Sequence, residues 1–203
     1  MDSLAMTTSN TRPTLVLAST SPFRKEILQK LGLPFDTAAP DIDESRRPDE
    51  DYSDFVRRLS EEKAAAVQSQ FPQHLIIGGD QIAVCNDVVL GKPGNYDKAH
   101  AQLTQFSGQC VTFYTGLSLL DSKTGDYQTC VELFRVHFRT LNTSQIHNYL
   151  TKEEPYNCAG SFKSEGLGIT LFRKLEGDDP NTLIGLPLIK LVSFLDNKGL
   201  PPI

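Results

Sequence analysis

A cluster of hydroxyl and cationic side chains near the start of the chain has the chemistry of a phosphate site. Ser19, Thr20 and Ser21 follow a short apolar run, and Pro22 and Arg24 come directly after them. This order predicts a strand, a tight turn and a helix that begins at the proline. Free backbone N–H groups at a helix start bind phosphate, and hydroxyls and a guanidinium strengthen that binding. The same pattern also suits a serine-capped helix that binds nothing, so this segment alone leaves both interpretations open.

Asp80 is the strongest single candidate for a catalytic group. It follows the apolar run Leu75–Ile77 and two glycines, which predicts a position at the carboxyl end of a buried strand. Ligands of open α/β sheets bind at such strand ends. A carboxylate there could take a proton from water or bind a metal ion. The alternative is a turn aspartate that hydrogen-bonds its own backbone.

Two lysines and a second carboxylate could complete a polyphosphate site. Lys63 is predicted on a helix, and Lys92 lies in a short loop rich in glycine and proline. With Arg24 they would neutralise phosphate charge, which is the main requirement of chemistry at phosphorus. Glu44 and Asp80 could hold Mg²⁺ or Mn²⁺, because such ions take a few carboxylates together with phosphates and water. Taken singly, each lysine is typical of a solvated surface and Glu44 of an exposed loop.

A glycine-rich segment, residues 159–168, carries Lys163 and Glu165. Loops of this kind often bear functional residues because a rigid scaffold positions them. Glu165 could accept hydrogen bonds from the edge of a purine base. A polar hairpin turn is the alternative interpretation of the same segment.

The elements that would position these residues form a mixed α/β pattern. Helices alternate with strands early and hairpins dominate the middle, which favours a mixed twisted sheet with flanking helices over a purely parallel sheet. The predicted strands are 15–18, 35–39, 75–77, 82–84, 88–90, 110–120 and 127–139. The predicted helices are 22–31, 51–70, 97–106, 143–150 and 187–195.

Length and charge exclude several other classes of protein. The chain has 203 residues, of which 39% are hydrophobic, and a formal net charge of −5. This size suits one domain or two fused lobes, and we expect a single domain over 14–203 after a disordered extension over 1–13. The acidic balance argues against nucleic-acid binding or a basic membrane surface. No apolar run reaches the length of a membrane span.

The four cysteines are widely spaced and form no Cys-x-x-Cys pair, which argues against a zinc or redox motif. The polar N-terminal segment is not a secretory signal, so we expect a reducing, cytoplasmic setting.

Five short motifs occur in one order along the chain: Ala-Ser-Thr-Ser-Pro-Phe-Arg at 18–24, Asp-Glu at 43–44, Glu-Lys-Ala at 62–64, Gly-Asp-Gln at 79–81 and Gly-Lys-Pro at 91–93. In this order they resemble the Maf family of nucleoside triphosphate pyrophosphatases. The resemblance continues through 113–116, 159–166 and 179–187, and it covers the chain from Leu15 to Leu195. It implies a two-lobed α/β fold around a central cleft, similar to inosine triphosphatases. It also implies a divalent metal and Asp80 as the catalytic proton acceptor.

Three further positions resemble the branch of this family that hydrolyses 7-methyl-GTP. They are Phe23, Gln81 and Glu165, which the resemblance implies as substrate-specificity positions, whereas the branch acting on dTTP and UTP typically has Arg and Thr at the first two. N7-methylation gives guanine a positive charge, which an aromatic face and a carboxylate both favour. We therefore expect Phe23 to stack on the base and Glu165 to bind its Watson–Crick edge. Lys25 stands where the family often has Arg, which keeps the charge but loses the bidentate fork.

Together these observations predict hydrolysis of 7-methyl-GTP to 7-methyl-GMP and pyrophosphate, a reaction that would clear a modified nucleotide. Ser19, Arg24, Lys63 and Lys92 are expected to hold the phosphates. Two alternatives stay open: a pyrophosphatase of the same fold that acts on another modified nucleotide, and a non-catalytic, nucleotide-binding regulator of cell division. We expect neither nucleic acid nor membrane as a partner. A homodimer is a further expectation, although no residue of the sequence indicates it.

Overall fold

A computed structural model describes residues 14–203. The extension predicted over residues 1–13 lies outside the described residues. Within residues 14–203, seven strands form one sheet: β1 (Thr14–Ala18), β2 (Phe35–Ala38), β3 (His74–Cys85), β4 (Val88–Leu90), β5 (Cys110–Asp121), β6 (Asp126–Phe138) and β7 (Phe172–Glu176). The strand order is β2-β1-β3-β5-β6-β7, and β4 pairs with β3 beside this path. β1 is parallel to β2 and β3, and the other pairs are antiparallel, which confirms the predicted mixed sheet.

In this described part of the chain, six α-helices accompany the sheet: α1 (Pro22–Gln29), α2 (Tyr52–Ala66), α3 (Tyr96–Phe106), α4 (Thr143–Glu153), α5 (Pro180–Ile184) and α6 (Leu188–Asn197). Short 3₁₀ helices cover Gln68–Gln70, Ala159–Ser161 and Leu167–Leu171. Within the described range 14–203, no helix is both long and apolar enough to cross a membrane.

The first four α-helices begin at polar residues whose side chains cap free backbone N–H groups. The caps are Ser21, Asp51, Asn95 and Asn142, and each accepts a hydrogen bond from a backbone N–H in the first turn. Such caps satisfy donors that have no partner within the helix. These helix starts are therefore set by local sequence.

One predicted strand end is wrong. The strand that contains Leu75–Ile77 does not end at the glycines. β3 is 12 residues long in total, and Asp80 lies in its middle. Gly78 and Gly79 stay in the β3–β5 ladder, opposite Ser118 and Leu117. A Cβ on Gly78 would lie 2.0 Å from the Ser60 carbonyl oxygen of α2. At Gly78 the missing side chain therefore serves close helix packing, and neither glycine marks a strand end.

Two elements near the C-terminus are absent from the predicted set. β7 reads Phe-Arg-Lys-Leu-Glu and exposes its three central residues, so it lacks the apolar alternation of a half-buried strand. α5 has five residues, too few to show helical periodicity. The last helix also differs slightly from its predicted range, since it begins at Leu188 and ends at Asn197.

The apolar core divides into a few clusters along the sheet. On β1, Leu15 and Leu17 pack with α1 and α6, whereas Val16 and Ala18 face α2. A separate large cluster joins α3, α4 and the distal ends of β5 and β6 around Phe106. The two large clusters lie in different halves of the sheet. This arrangement agrees with the predicted two lobes.

Candidate active site

The site is built at a gap along one edge of β3. On this edge β1 pairs with β3 as far as Gly78, and β4 pairs with it from Ala83 onward. Between them, residues 79–82 are paired only with β5, on the opposite edge. The turn that follows β1 leads into α1 beside this gap. Asp80 and Gln81 therefore lie where the sheet opens, although neither stands at a strand end.

A cleft of about 540 Å³ occupies this opening. It is lined by every residue that the sequence predicted for the site: Ser19, Phe23, Arg24, Glu44, Lys63, Asp80, Gln81, Lys92 and Glu165. These residues come from segments far apart in the chain. The fold thus brings the predicted acid and the predicted bases into one cavity.

Lys63 forms the centre of the charged cluster. Its Nζ lies 2.6 Å from Asp80 Oδ1 and 2.8 Å from Glu44 Oε1. Lys63 is 6% exposed and Asp80 8% exposed. A buried ammonium requires a paired partner, so the contact with Asp80 explains why Lys63 can leave solvent. The interpretation of Lys63 as a solvated surface lysine is wrong, while Glu44 is exposed as its loop position suggested.

The backbone of Asp80 is fixed by the helix that carries Lys63. Asp80 N–H donates to Ser60 Oγ at 3.0 Å, and that hydroxyl donates to Val56 O at 2.6 Å. Gly116 of β5 leaves room for these atoms, because a Cβ there would lie 2.4 Å from both Ser60 Oγ and Val56 O. The Asp80 carboxylate accordingly faces Lys63, and the alternative of a turn aspartate bonded to its own backbone is wrong.

Arg24 is anchored at the opposite side of the gap. Its Nε donates to Gly185 O at 2.9 Å, and its Nη1 lies 3.5 Å from Ser19 Oγ. Burial lowers the pKa of Arg24, while the charges of Asp80 and Glu44 act in the other direction. A guanidinium remains charged under these conditions. Arg24 therefore presents a fixed positive charge to the cleft beside Ser19.

The remaining predicted residues border the cleft with few internal contacts. Phe23 is half-buried in the first turn of α1, and Lys92 is exposed after β4. Glu165 is exposed and accepts a hydrogen bond from Ser164 Oγ at 3.1 Å. The segment around it contains 3₁₀ helices, so the polar-hairpin interpretation is wrong. Nearby, Lys163 Nζ lies 3.4 Å from Glu153 Oε1.

Gln81 shows a different pattern, because its amide nitrogen is occupied by protein acceptors. Nε2 donates to Thr115 Oγ1 and to Thr182 O, each at 2.8 Å. No sequence pattern marks Thr115 or Thr182 individually. Asn157 and Cys158, which line the cleft from the loop before the second 3₁₀ helix, are likewise absent from the predicted site. Both lie just before the glycine-rich segment 159–168, outside the motifs that indicated the site.

The carboxylate pair fits a divalent metal. Glu44 and Asp80 converge on one ammonium, and each uses a single oxygen for that contact, which leaves a second oxygen available. Carboxylate oxygens of this kind are suitable ligands for Mg²⁺ or Mn²⁺ when phosphates and water complete the shell. Among residues 14–203, no group of three or more His, Cys, Asp or Glu side chains could hold a metal by itself. Any ion at this position would therefore need ligands from substrate.

The mixed α/β sheet with an opening, the buried acid–lysine pair and the anchored arginine define an α/β protein with a charged cleft of the chemistry that suits phosphate. The family model described as Maf-like protein matches residues 14–198, and the chain belongs to this family.

Curated relatives cover nearly the whole chain. A protein named 7-methyl-GTP pyrophosphatase from Colwellia psychrerythraea (strain 34H) is 60% identical over 187 residues, which cover 92% of this chain and 94% of that protein. A protein of the same name from Nitrosococcus oceani is 54% identical over 189 residues, covering 93% of this chain and 95% of that protein.

A solved structure of a HAM1 protein from Coxiella burnetii shares the fold. Its TM-score is 0.51 at 13% identity, and the alignment covers 91% of this chain and 99% of that chain. This likeness confirms the predicted fold class.

Proposed function

We propose that this protein is a nucleoside triphosphate pyrophosphatase that hydrolyses 7-methyl-GTP to 7-methyl-GMP and pyrophosphate. The relatives that are 54% and 60% identical to this chain over 189 and 187 aligned residues carry that activity in their names. The single structural observation that supports it most is the Lys63–Asp80 pair, 2.6 Å apart, in a cleft that also holds Arg24. A reaction at phosphorus needs an acid–base group and fixed cations in one place, and this cleft offers both.

In the proposed reaction, water attacks the α-phosphorus and the bond between that phosphorus and the oxygen bridging to the β-phosphorus breaks. Asp80 accepts a proton from the attacking water, and pyrophosphate leaves with the electron pair of the broken bond. Lys63 stays beside Asp80 and neutralises charge on the phosphates. Arg24 and Lys92 hold the triphosphate, with the Ser19 hydroxyl as a further ligand.

Glu44 and Asp80 are the residues that we propose would hold Mg²⁺ or Mn²⁺ together with substrate phosphates. When bound, such an ion would neutralise phosphate charge and polarise the reacting phosphoryl group. Lys63 contacts one oxygen of each carboxylate, which leaves the other oxygen of each for such an ion.

The proposed base recognition uses the side chains that border the cleft. Phe23 would stack on the methylated guanine, whose positive charge favours an aromatic face. Glu165 would accept hydrogen bonds from the base and compensate its charge. We place this reaction on the free nucleotide pool of the cytoplasm. A homodimer stays a prediction, which light scattering of the purified chain would test.

A substrate panel with pyrophosphate detection, run with Mg²⁺ and with Mn²⁺, tests this proposal. We expect 7-methyl-GTP to give the highest kcat/KM among 7-methyl-GTP, GTP, dTTP and UTP. A panel in which another nucleotide is preferred would support the rival substrate assignment. Binding without turnover for every nucleotide would contradict the enzyme and favour a nucleotide-binding regulator.

Asp80→Asn tests the catalytic assignment directly. Removing the proton acceptor should lower kcat by at least about a hundredfold while nucleotide binding is retained. Asp87→Asn is a matched control, because Asp87 is an exposed residue of the β3–β4 turn outside the cleft. Normal pyrophosphate release by Asp80→Asn would refute the role of Asp80.

A further inference from the structure

The Gln81 side chain is held by three acceptors at the floor of the cleft. Gln81 lies directly opposite Thr115 in the β3–β5 ladder, so both side chains point to the same face of the sheet. Nε2 donates to Thr115 Oγ1 at 2.8 Å, to Thr182 O at 2.8 Å and more weakly to Leu183 O at 3.3 Å. Thr115 is completely buried, and its own hydroxyl donates to Thr182 O at 3.1 Å.

This set of acceptors allows only one orientation of the amide. A flipped Gln81 would place Oε1 against the carbonyl oxygens of Thr182 and Leu183, where no donor could meet it. The Thr115 hydroxyl could not correct this, because its proton is used by Thr182 O. Oε1 is therefore the free end of the side chain. Among residues 14–203 it accepts no hydrogen bond, and Gln81 lines the cleft.

The two carbonyls belong to the last turn of α5, and Thr182 O also accepts a hydrogen bond from the backbone N–H of Gly185 at 3.1 Å. This turn is itself fixed by the buried Asp179. Asp179 Oδ1 accepts from Asn181 N at 2.8 Å, and Oδ2 accepts from Ile189 N in α6 at 2.8 Å. The residue after α5, Gly185, receives Arg24 Nε on its carbonyl. One short helix thus anchors two side chains of the cleft.

We propose that Thr115 is a positioning residue for nucleotide recognition, which acts with the terminal carbonyls of α5 to direct Gln81 Oε1 toward the base. This inference rests on the proposed function, since it assigns the base-binding end of the same site. An oxygen held in this way binds a base edge that carries N–H donors, and it repels an edge that carries acceptors. Guanine offers such donors at N1 and at its exocyclic amino group.

A double-mutant cycle tests the role of Thr115 without depending on turnover. The probe is the α,β-methylene analogue of 7-methyl-GTP, which resists cleavage, and its Kd is measured by calorimetry. Thr115→Val removes the hydroxyl and keeps the shape, so we expect about a threefold to tenfold weaker Kd. Thr115→Ser keeps the hydroxyl and should stay within about twofold of wild type. In a Gln81→Met background, Thr115→Val should have almost no further effect.

Ser118→Ala is the matched control, because Ser118 is a fully buried hydroxyl on the same strand that contacts Thr129 rather than Gln81. Its Kd should match that of wild type even if its melting temperature falls. A Thr115→Val effect of equal size in both backgrounds would overturn the inference, as would a wild-type chain that does not bind the analogue. Hydrolysis of 7-methyl-GTP by wild type is measured separately. If Thr115→Val weakens binding only when Gln81 is present, but wild type does not hydrolyse 7-methyl-GTP, the proposed reaction is rejected and the positioning role of Thr115 is kept.

Discussion

At the scale of single residues, the preference for a methylated base is expected to depend on Phe23 and Glu165. Phe23→Leu removes the aromatic face and Glu165→Gln removes the negative charge. Each should lower the ratio of kcat/KM for 7-methyl-GTP over GTP. For Phe23→Leu we expect about twofold to thirtyfold, since a cation over an aromatic ring gains about 0.5 to 2 kcal/mol. Glu165→Gln should act in the same direction, because it removes a charge-assisted acceptor. Steady-state kinetics on both nucleotides measures this ratio.

Glu26→Gln is a suitable control for these two variants. Glu26 is an exposed residue of α1 that does not line the cleft, so its substitution should leave the ratio unchanged. If neither Phe23→Leu nor Glu165→Gln changes the ratio, the proposed recognition of the methylated base is wrong.

The residue types of the site could be predicted from sequence, but their contacts could not. Lys63 follows two glutamates on a helix, a context that favours a solvated lysine. Its burial depends on Asp80, which reaches it only after α2 packs on β3. The Thr115–Gln81 contact likewise depends on the register of β3 and β5. Pairings between distant segments carry no local sequence pattern.

At the scale of elements, the position of α2 depends on two glycines of neighbouring strands. Gly78 and Gly116 lie under this helix, and a Cβ on either would meet its atoms at 2.0 and 2.4 Å. At Gly78 the nearest atom belongs to the backbone, which cannot rotate away. Because α2 carries both Ser60 and Lys63, this close packing also determines where the Asp80 contacts form.

Gly78→Ala is therefore expected to destabilise the fold strongly, by about 3 kcal/mol or more in the free energy of unfolding. Gly79→Ala is a matched control on the next residue, where a Cβ would meet Gly116 O at 3.4 Å and Arg24 Nε at 3.6 Å. That variant should lose about 1 kcal/mol or less. Urea unfolding of both variants measures the difference, and equal losses would show that α2 can shift.

Elements with strong local signals were predictable, and those without them were not. The capped helices and the β5–β6 hairpin agree with the patterning, as does the β3–β4 hairpin, whose turn residues Asn86 and Asp87 both adopt positive φ. β7 is placed by pairing with β6 rather than by its own pattern. The predicted break of β3 at its glycines reflects the local weakening of a strand by glycine, whereas in the fold the packing of α2 against β3 requires glycine at position 78.

At the scale of the whole molecule, several carboxyl groups stabilise the fold only while they are ionised. Among residues 14–203, burial raises the pKa of four carboxyl groups and is the largest single effect at Asp121, but hydrogen bonds and charges of neighbouring groups give each a net lowered pKa: Asp43, Glu50, Asp121 and Glu176. The hydrogen bond from Arg58 holds the pKa of Glu50 at about 2, although burial opposes this shift. Arg58 contacts both Glu50 oxygens, at 2.6 and 2.8 Å, and also donates to Ser45 O. It therefore ties the loop that carries Glu44 to α2.

The sign of these shifts predicts a loss of stability in acid. In the unfolded chain the Glu50 carboxyl takes up its proton near its ordinary pKa of 4.5, whereas the folded chain resists until about pH 2. The unfolded state thus binds more protons over this window. The contribution of Glu50 to the free energy of unfolding should therefore be fully present above about pH 5 and should be lost as the pH drops toward 2. Urea unfolding at pH 6, 4 and 3 measures this dependence.

Glu50→Gln should make the free energy of unfolding depend less steeply on pH, because the amide does not take up a proton over this range. Arg58→Met should do the same by returning the Glu50 pKa toward its ordinary value, and the double variant should show a pH dependence no shallower than that of either single variant.

Both changes also release the loop around Ser45, so each should raise KM for nucleotide through Glu44 while the fold persists at neutral pH. A pH dependence of Glu50→Gln that runs parallel to wild type would show that Arg58 does not stabilise the ionised form of Glu50.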